Sequence, residues 1–190
     1  MLDTPIYSAL KKYIGENNIR MHMPGHIGIG MTAEELKSVA LLDVTEVPGL
    51  DDLHLSREVI EDSRQLLARA FGAGESFFLV NGATSGIEAL FMGLTSDQGK
   101  VLVPRNAHRS FFAGMVLSGA MPVYIPVQVE RELGITLAVK PQDVEDLISV
   151  NQDAEAVFVT SPSYYGTTCH IDEIAAIAKY FSKVLAVDEA

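Results

Sequence analysis

The stretch SFFLVNGATSGIEALFMG (residues 76–93) decides how this chain is expected to fold. Residues 76–80 form a short run that is rich in aromatic and other apolar residues and ends in a β-branched valine, as in a strand buried inside a parallel sheet. Residues 81–86 interrupt this run, and residues 87–94 are apolar on nearly every side, which indicates a buried helix. A strand followed directly by a helix places the helix N-terminus at the carboxyl edge of a sheet. Free backbone N–H groups and the helix dipole favour an anion there, most often a phosphate.

A second interpretation of the same stretch needs no ligand. Ser85 and Glu88 have the spacing of a capping box, in which the two side chains satisfy backbone donors at the start of a helix. The sequence alone leaves both interpretations open. The stretch is neither a GxxxxGK[ST] loop nor a GxGxxG fingerprint, so nucleoside triphosphates and dinucleotides are disfavoured.

After this stretch the hydrophobic pattern keeps alternating between strand and helix, which predicts an α/β protein with a doubly wound, mostly parallel sheet. Helices are also predicted before it, and we assign residues 1–57 to an N-terminal helix and loop segment and 58–190 to a larger domain. The predicted helices are 5–17, 32–40 (capped by Thr32), 58–71, 110–117, 141–148 and 171–181, and the further predicted strands are 100–104, 121–127, 156–160 and 184–188.

The composition excludes several classes of protein. The net charge is −11 over 190 residues and the basic residues form no Lys/Arg cluster, which argues against nucleic acid and against an anionic membrane surface. No apolar run approaches the length of a membrane span. The single cysteine, Cys169, cannot form an internal disulfide, which indicates a cytoplasmic setting, and it is expected to be a small buried residue rather than a nucleophile.

Two groups of residues resemble metal ligands, but no metal site is expected. His22 and His26 have helical spacing, yet Pro24-Gly25 between them rules out the helix that would bring them together. The loop of residues 42–55 is rich in carboxylates and contains His54. Because the loop shows no periodic pattern, a solvated or interface loop is the preferred interpretation.

Three strand ends are predicted to meet at one edge of the sheet: residues 81–85, residues 105–110 and Asp188. A phosphate cradle, an imidazole or guanidinium near a planar ring, and a carboxylate together suit a phosphorylated, cationic heteroaromatic ring. Asp188 would keep a ring nitrogen protonated, since an ion pair favours the charged form, and His108 could stack on the ring. A histidine after a strand is also compatible with a helix cap, and Asp188 with a solvated acid.

The residues quoted so far resemble the major domain of the Orn/Lys/Arg decarboxylases, pyridoxal-phosphate enzymes of the aspartate-aminotransferase-like fold. Six segments match in the family's order across nearly the whole chain, and that order is far more specific than any single segment. The segments are His22-Met-Pro-Gly-His26, Asp43-Val-Thr-Glu46 through Leu50-Asp-Asp-Leu-His54, Asn81-Gly-Ala-Thr-Ser-Gly86, Arg105-Asn-Ala-His-Arg-Ser110, Ser161-Pro-Ser-Tyr-Tyr-Gly166 and Val187-Asp-Glu-Ala190.

The resemblance implies a role for each matching position. Ala83, Thr84 and Ser85 would bind the phosphate of pyridoxal 5′-phosphate. His108 and Asp188 would both bind the cofactor and act in catalysis, His108 by stacking on the pyridine ring and Asp188 by pairing with its nitrogen. The implied reaction is decarboxylation of arginine, lysine or ornithine, in polyamine metabolism, by a homodimer or larger assembly. The two histidines of the 22–26 segment and the loop around Asp51 would lie near the active site or the partner subunit.

The chain departs from the family pattern at two places. Ser56 and Glu58 stand where the family usually has a proline and a glycine. The Schiff-base lysine, which the family carries in a Ser-x-His-Lys segment, is absent, and we expect an N-terminal fragment that is inactive alone. Two alternatives stay open: an aminotransferase or other lyase of the same fold, and a short, non-catalytic relative that acts as a binding or regulatory subunit.

Overall fold

A computed structural model of the chain describes residues 3–29 and 33–190. The chain forms two compact units, residues 1–78 and residues 79–190. The domain limits expected from the sequence, 1–57 and 58–190, stay a prediction.

The first unit contains three helices within its described residues: α1 (Pro5–Gly15), α2 (Glu34–Leu42) and α3 (Val59–Phe71). Pro5 occupies the first turn of α1, where a missing N–H costs no helical hydrogen bond. Gly72 ends α3 with a φ of 65°, a left-handed conformation that glycine adopts without strain. Thr4 precedes α1 but forms no side-chain cap, and the predicted cap Thr32 lies outside the described residues.

Asp51 provides the acceptor for the backbone donors at the start of α3. Its carboxylate accepts N–H groups from Asp52, Arg57, Glu58 and Ile60 at 2.9–3.2 Å. Burial acts to raise the pKa of Asp51, but the four backbone donors outweigh it and lower the pKa from 3.8 to about 2. A side chain seven residues upstream of the N-cap therefore anchors the preceding loop to the helix.

Replacing Asp51 by Asn is expected to lower the free energy of unfolding by about 1 kcal/mol at neutral pH, because the amide keeps one acceptor oxygen instead of two. The pKa is depressed in the folded state. The stabilisation by Asp51 is therefore present above about pH 4 and lost as the pH falls towards about 2. Denaturant unfolding followed by circular dichroism over this pH range measures both effects.

The matched control is Asp52→Asn, since the Asp52 carboxylate accepts a single N–H, from His54 at 2.8 Å. A difference between wild type and Asp51→Asn that stays constant from neutral pH to about pH 2 would contradict the assigned role of Asp51.

The second unit is a doubly wound α/β sheet, which confirms the predicted fold class. Its four strands are parallel in the order β2-β1-β5-β6, and helices connect them. β1, β5 and β6 have the predicted bounds, whereas β2 ends at Ile125 rather than Val127. The elements are α4 (Gly82–Leu94), β1 (Lys100–Pro104), α5 (Arg109–Ser118), β2 (Met121–Ile125), β3 (Val129–Glu130), β4 (Ile135–Thr136), α6 (Pro141–Val150), β5 (Ala156–Thr160), α7 (Ile171–Tyr180) and β6 (Val184–Asp188).

The antiparallel pair β3–β4 was not predicted. Its strands are two residues long, too short for an alternating pattern to be visible in the sequence. Asn106 Nδ2 donates to Thr136 Oγ1 at 3.0 Å. The hairpin is thereby tied to the loop that follows β1.

Side chains that alternate along the strands build two core layers, one on each face of the sheet. On one face, α4 and α5 bury Phe91 and Phe111 against Phe158 of β5 and Ala186 of β6. The Phe91 and Phe158 rings stack with centroids 3.9 Å apart, and Phe111 meets both edge-on. The other layer packs α6 and α7 on the opposite face. Its fully buried members include Leu102, Val144, Ile148, Val157, Val159 and Ile174.

The predicted strand over residues 76–80 is wrong, since these residues belong to no strand. A strand needs a hydrogen-bonded neighbour, and within the described residues the sheet ends at β2 and β6. Phe77, Leu79 and Val80 are each more than half exposed. Ser76 bonds instead to α3, where its carbonyl accepts from Arg64 Nε at 2.7 Å and its hydroxyl donates to the Arg64 carbonyl at 2.5 Å.

None of the helices described for this chain combines the length and the apolar composition that crossing a bilayer requires.

Candidate functional site

The amino ends of α4 and α5 lie at the carboxyl edge of the sheet, on the same face. α4 leads into β1 and α5 follows β1, and helices that connect parallel strands run back against them. Phe91 and Phe111 bury both helices in the same core layer. This edge of a doubly wound sheet is where ligands bind.

α4 begins at Gly82, three residues before the predicted cap. Gly82 has a φ of 69°, and Asn81 at the N-cap makes no side-chain hydrogen bond to the helix. Ser85 lies inside the first turn, and its hydroxyl donates to the Gly82 carbonyl at 2.9 Å. The capping-box interpretation is therefore wrong, because a hydroxyl that donates to a carbonyl does not satisfy a backbone N–H.

The first turn of α4 consequently presents backbone donors that no side chain caps. Ala83 and Thr84 are exposed and Ser85 is half-buried. Thr84 adds a hydroxyl donor at the positive end of the helix dipole, whereas the Ser85 hydroxyl is bonded to the Gly82 carbonyl. An oxyanion such as a phosphate fits this arrangement.

His108 occupies the N-cap of α5 and is exposed. Its Nδ1 accepts the Ser110 backbone N–H at 3.3 Å and lies 2.9 Å from the Ser110 hydroxyl. The neutral ring therefore carries its proton on Nε2. The cap interpretation of His108 is confirmed, and it fixes the imidazole at the carboxyl edge of the sheet, where an exposed ring can also stack on a ligand.

Asp188 ends β6 and is only 7 % exposed. Its Oδ1 accepts the Ala190 N–H at 3.2 Å. Within residues 3–29 and 33–190, Asp188 takes part in no ion pair. A buried carboxylate without a cationic partner is costly, so this side chain suits a ligand that brings a positive charge.

Asp188 lies on the same face of the sheet as α4 and α5. Alternate residues of a strand point to the same face, and Ala186 packs in the α4–α5 layer. The described residues thus place the α4 terminus, the His108 ring and the Asp188 carboxylate at one edge and on one face. Anion donors, an imidazole and an unpaired carboxylate form a donor set that fits pyridoxal phosphate.

The histidines of the 22–26 segment form hydrogen bonds inside the first unit. His22 Nε2 lies 2.7 Å from the Tyr13 hydroxyl, and Nδ1 lies 2.5 Å from the Met23 carbonyl, to which it must donate. His26 Nδ1 accepts the Gly28 N–H at 3.0 Å, and Nε2 lies 3.1 Å from Asp43 Oδ2. Their expected place near an active site or a partner subunit stays a prediction.

The remaining candidates from the sequence are Cys169 and the groups that resemble metal ligands. Cys169 is half-buried, and burial raises the pKa of its thiol. Among the residues that the structure describes, no group of three or more His, Cys, Asp or Glu side chains has an arrangement that could hold a metal ion.

Sequence reasoning overlooked one polar side chain at this edge, Thr160, the last residue of β5. The two-residue periodicity of the strand could have identified it. Ala156, Phe158 and Thr160 alternate along β5, so Thr160 lies on the face that carries Asp188.

Solved structures of lysine decarboxylases have the same fold as this chain. The Escherichia coli constitutive lysine decarboxylase matches with a TM-score of 0.75 at 23% identity, over 99% of this chain and 29% of that one. The Francisella novicida lysine decarboxylase LdcF matches with a TM-score of 0.79 at 20% identity, over 98% of this chain and 28% of that one. The chain therefore shares the fold of these lysine decarboxylases.

The chain belongs to the Orn/Lys/Arg decarboxylase family, whose major-domain model matches residues 4–190. The arginine decarboxylase of Bacillus subtilis is 32% identical over 193 residues, which cover 99% of this chain and 39% of that protein. The chain thus spans about two fifths of the length of this curated relative.

Proposed function

We propose that this chain forms the cofactor-binding part of a pyridoxal-phosphate-dependent decarboxylase of a basic amino acid. Arginine, lysine and ornithine are the candidate substrates. Arginine is the first to test, because the Bacillus subtilis relative that matches 99% of this chain is an arginine decarboxylase. Pyridoxal phosphate as the cofactor of this chain, its reaction and its substrate are all parts of the proposal.

The observation that carries the proposal is the buried, unpaired Asp188 carboxylate on the same face as the uncapped start of α4. A phosphate alone would need only the helix terminus, and a cation alone would need only the carboxylate. A ligand with an anionic group and a cationic ring satisfies both.

The proposed roles of the residues follow from their placement. Ala83, Thr84 and Ser85 would hold the phosphate through backbone and hydroxyl donors, His108 would stack on the ring, and Asp188 would pair with the ring nitrogen. When bound, pyridoxal phosphate supplies an electron sink for the carbanion that forms as CO₂ leaves.

Three lysines of the second unit lie away from the candidate site. Lys100 pairs with Asp153 at 2.9 Å where β1 begins, and Lys183 Nζ donates to the Gln152 carbonyl at 2.6 Å just before β6. Both lie at the opposite, amino edge. Lys140 directly precedes α6, which packs on the other face of the sheet. We therefore expect the 190-residue chain alone to release no CO₂ from a basic amino acid, because a covalent bond to the cofactor needs a lysine amine at the site.

The test compares this chain with a longer product of the same gene, if the reading frame continues past Ala190 into a Ser-x-His-Lys segment. Each protein is saturated with pyridoxal phosphate and assayed for CO₂ release from arginine, lysine and ornithine. We expect activity on at least one substrate from the longer protein and none from the chain alone. A longer protein with full cofactor occupancy that releases no CO₂ from any of the three would reject the decarboxylase assignment, and substrate-dependent formation of pyridoxamine phosphate would identify an aminotransferase.

A homodimeric or larger assembly and a cytoplasmic location remain part of the proposal. Sedimentation of the longer, cofactor-loaded protein measures its assembly state directly.

A further inference from the structure

Thr160 has a buried hydroxyl group without a hydrogen-bond partner among the described residues. The hydroxyl groups of Ser161 and Ser163, which follow it in the chain, both have partners. Ser161 Oγ accepts the Cys169 N–H at 3.0 Å, and Ser163 Oγ lies 2.6 Å from Thr167 Oγ1. A buried hydroxyl left unpaired destabilises the protein, so a bound ligand could supply the hydrogen-bond partner that the Thr160 hydroxyl lacks.

The pairing of β5 with β6 determines where this hydroxyl lies. Thr160 and Asp188 are direct partners in the parallel register. Both continue the alternation of residues that pack in the α4–α5 layer, Phe158 on β5 and Ala186 on β6. The two side chains are therefore neighbours on the candidate cofactor face, about 4.8 Å apart by the spacing of adjacent strands.

A pyridoxal ring whose nitrogen pairs with Asp188 has one other polar group near that nitrogen. This group is the phenolic oxygen, on the second ring carbon from the nitrogen. The distance from the nitrogen to this oxygen is comparable to the distance between adjacent strands. A side chain in register with Asp188 on the next strand can thus reach it, and a hydroxyl is a suitable donor to a phenolate oxygen.

We infer that Thr160 is a further cofactor-binding residue whose hydroxyl donates a hydrogen bond to the phenolic oxygen of the bound ring. The inference rests on the proposed function, because it assumes that the ring nitrogen pairs with Asp188. It adds a contact on β5 to those proposed on α4, α5 and β6.

The test measures the binding of two ligand analogues to the 190-residue chain by titration calorimetry. The first is 4-deoxypyridoxine 5′-phosphate, which keeps the phosphate, the ring nitrogen and the phenolic oxygen but has no aldehyde and needs no lysine. The second is the same molecule without the phenolic oxygen. We expect Thr160→Val to weaken binding of the first analogue about tenfold and to leave binding of the second unchanged.

Two further variants separate this contact from a change in folding. Thr160→Ser keeps a hydroxyl and should restore binding of the first analogue. Thr95→Val is the matched control, because the Thr95 hydroxyl donates to the Phe91 carbonyl at 2.6 Å near the amino edge of the sheet, and it should bind both analogues like wild type. Circular dichroism of every variant verifies that it is folded.

The outcomes distinguish the inference from the proposed function. If wild type binds the first analogue and Thr160→Val binds both analogues as wild type does, or loses both equally, the assigned contact is wrong and the cofactor site stands. If wild type binds neither analogue, the proposed function itself fails and the inference falls with it.

Discussion

Asp188→Asn is expected to weaken the binding of 4-deoxypyridoxine 5′-phosphate by about 100-fold while leaving the unfolding free energy of the free chain unchanged or slightly higher. The carboxylate is buried and has no cationic partner among the described residues, so its charge is a cost until a ligand brings a pyridinium. The asparagine keeps the shape and the acceptor for the Ala190 N–H. It loses the charge, and removing one partner of a buried charge pair typically costs 2–5 kcal/mol of binding.

Glu189→Gln is the matched control for this prediction, because it removes the same charge from the adjacent, exposed residue. Its binding is expected to stay within about twofold of wild type, since exposed charges are strongly screened. Calorimetric titration gives the affinities, and denaturant unfolding gives the stabilities. Equal loss of binding in both variants would show that net charge at the chain's last residues matters and that the Asp188 carboxylate has no specific role.

Phe91→Ala is expected to lower the unfolding free energy of the second unit by about 3–5 kcal/mol. Phe91 is fully buried, stacks on Phe158 at 3.9 Å and meets Phe111 edge-on at 5.8 Å. Alanine would leave a cavity between α4, α5 and the sheet. Because domains are stable by only about 5–15 kcal/mol, this one substitution would remove a large share of the stability.

Two variants locate the cause of that loss. Phe91→Leu fills much of the cavity but has no ring. Its loss of unfolding free energy should therefore be smaller than that of Phe91→Ala, and the loss that remains reports the ring packing. Met92→Ala changes the next residue of α4, which is 62% exposed, and should cost under about 0.5 kcal/mol. Denaturant unfolding followed by circular dichroism measures the stabilities, and amide hydrogen exchange of β5 assigns the loss to the second unit. A cost under about 1 kcal/mol for Phe91→Ala would contradict the assigned core.

Some of the site residues could be placed from sequence patterns, and one element of the site could not. The placement of His108 and Asp188 at the ends of β1 and β6 followed from two apolar runs that each stop at a polar residue. The start of α4 was misplaced, because Ser85 and Glu88 satisfy the capping-box pattern while Gly82 at φ 69° begins the helix earlier. A backbone conformation that glycine allows leaves no trace in a hydrophobic pattern.

Local sequence patterns were enough to predict the α/β class, the bounds of β1, β5 and β6 and the sheet edge at which the polar residues lie. These features depend on local alternation and on residues that stop helices and strands. Three features became visible only in the folded chain: residues 76–80 form no strand, Asp51 accepts the backbone N–H groups at the start of α3, and the Thr160 hydroxyl has no partner among the described residues. Each of these features depends on which groups the folded chain brings within hydrogen-bonding distance. That is set by tertiary packing and not by the residue type alone.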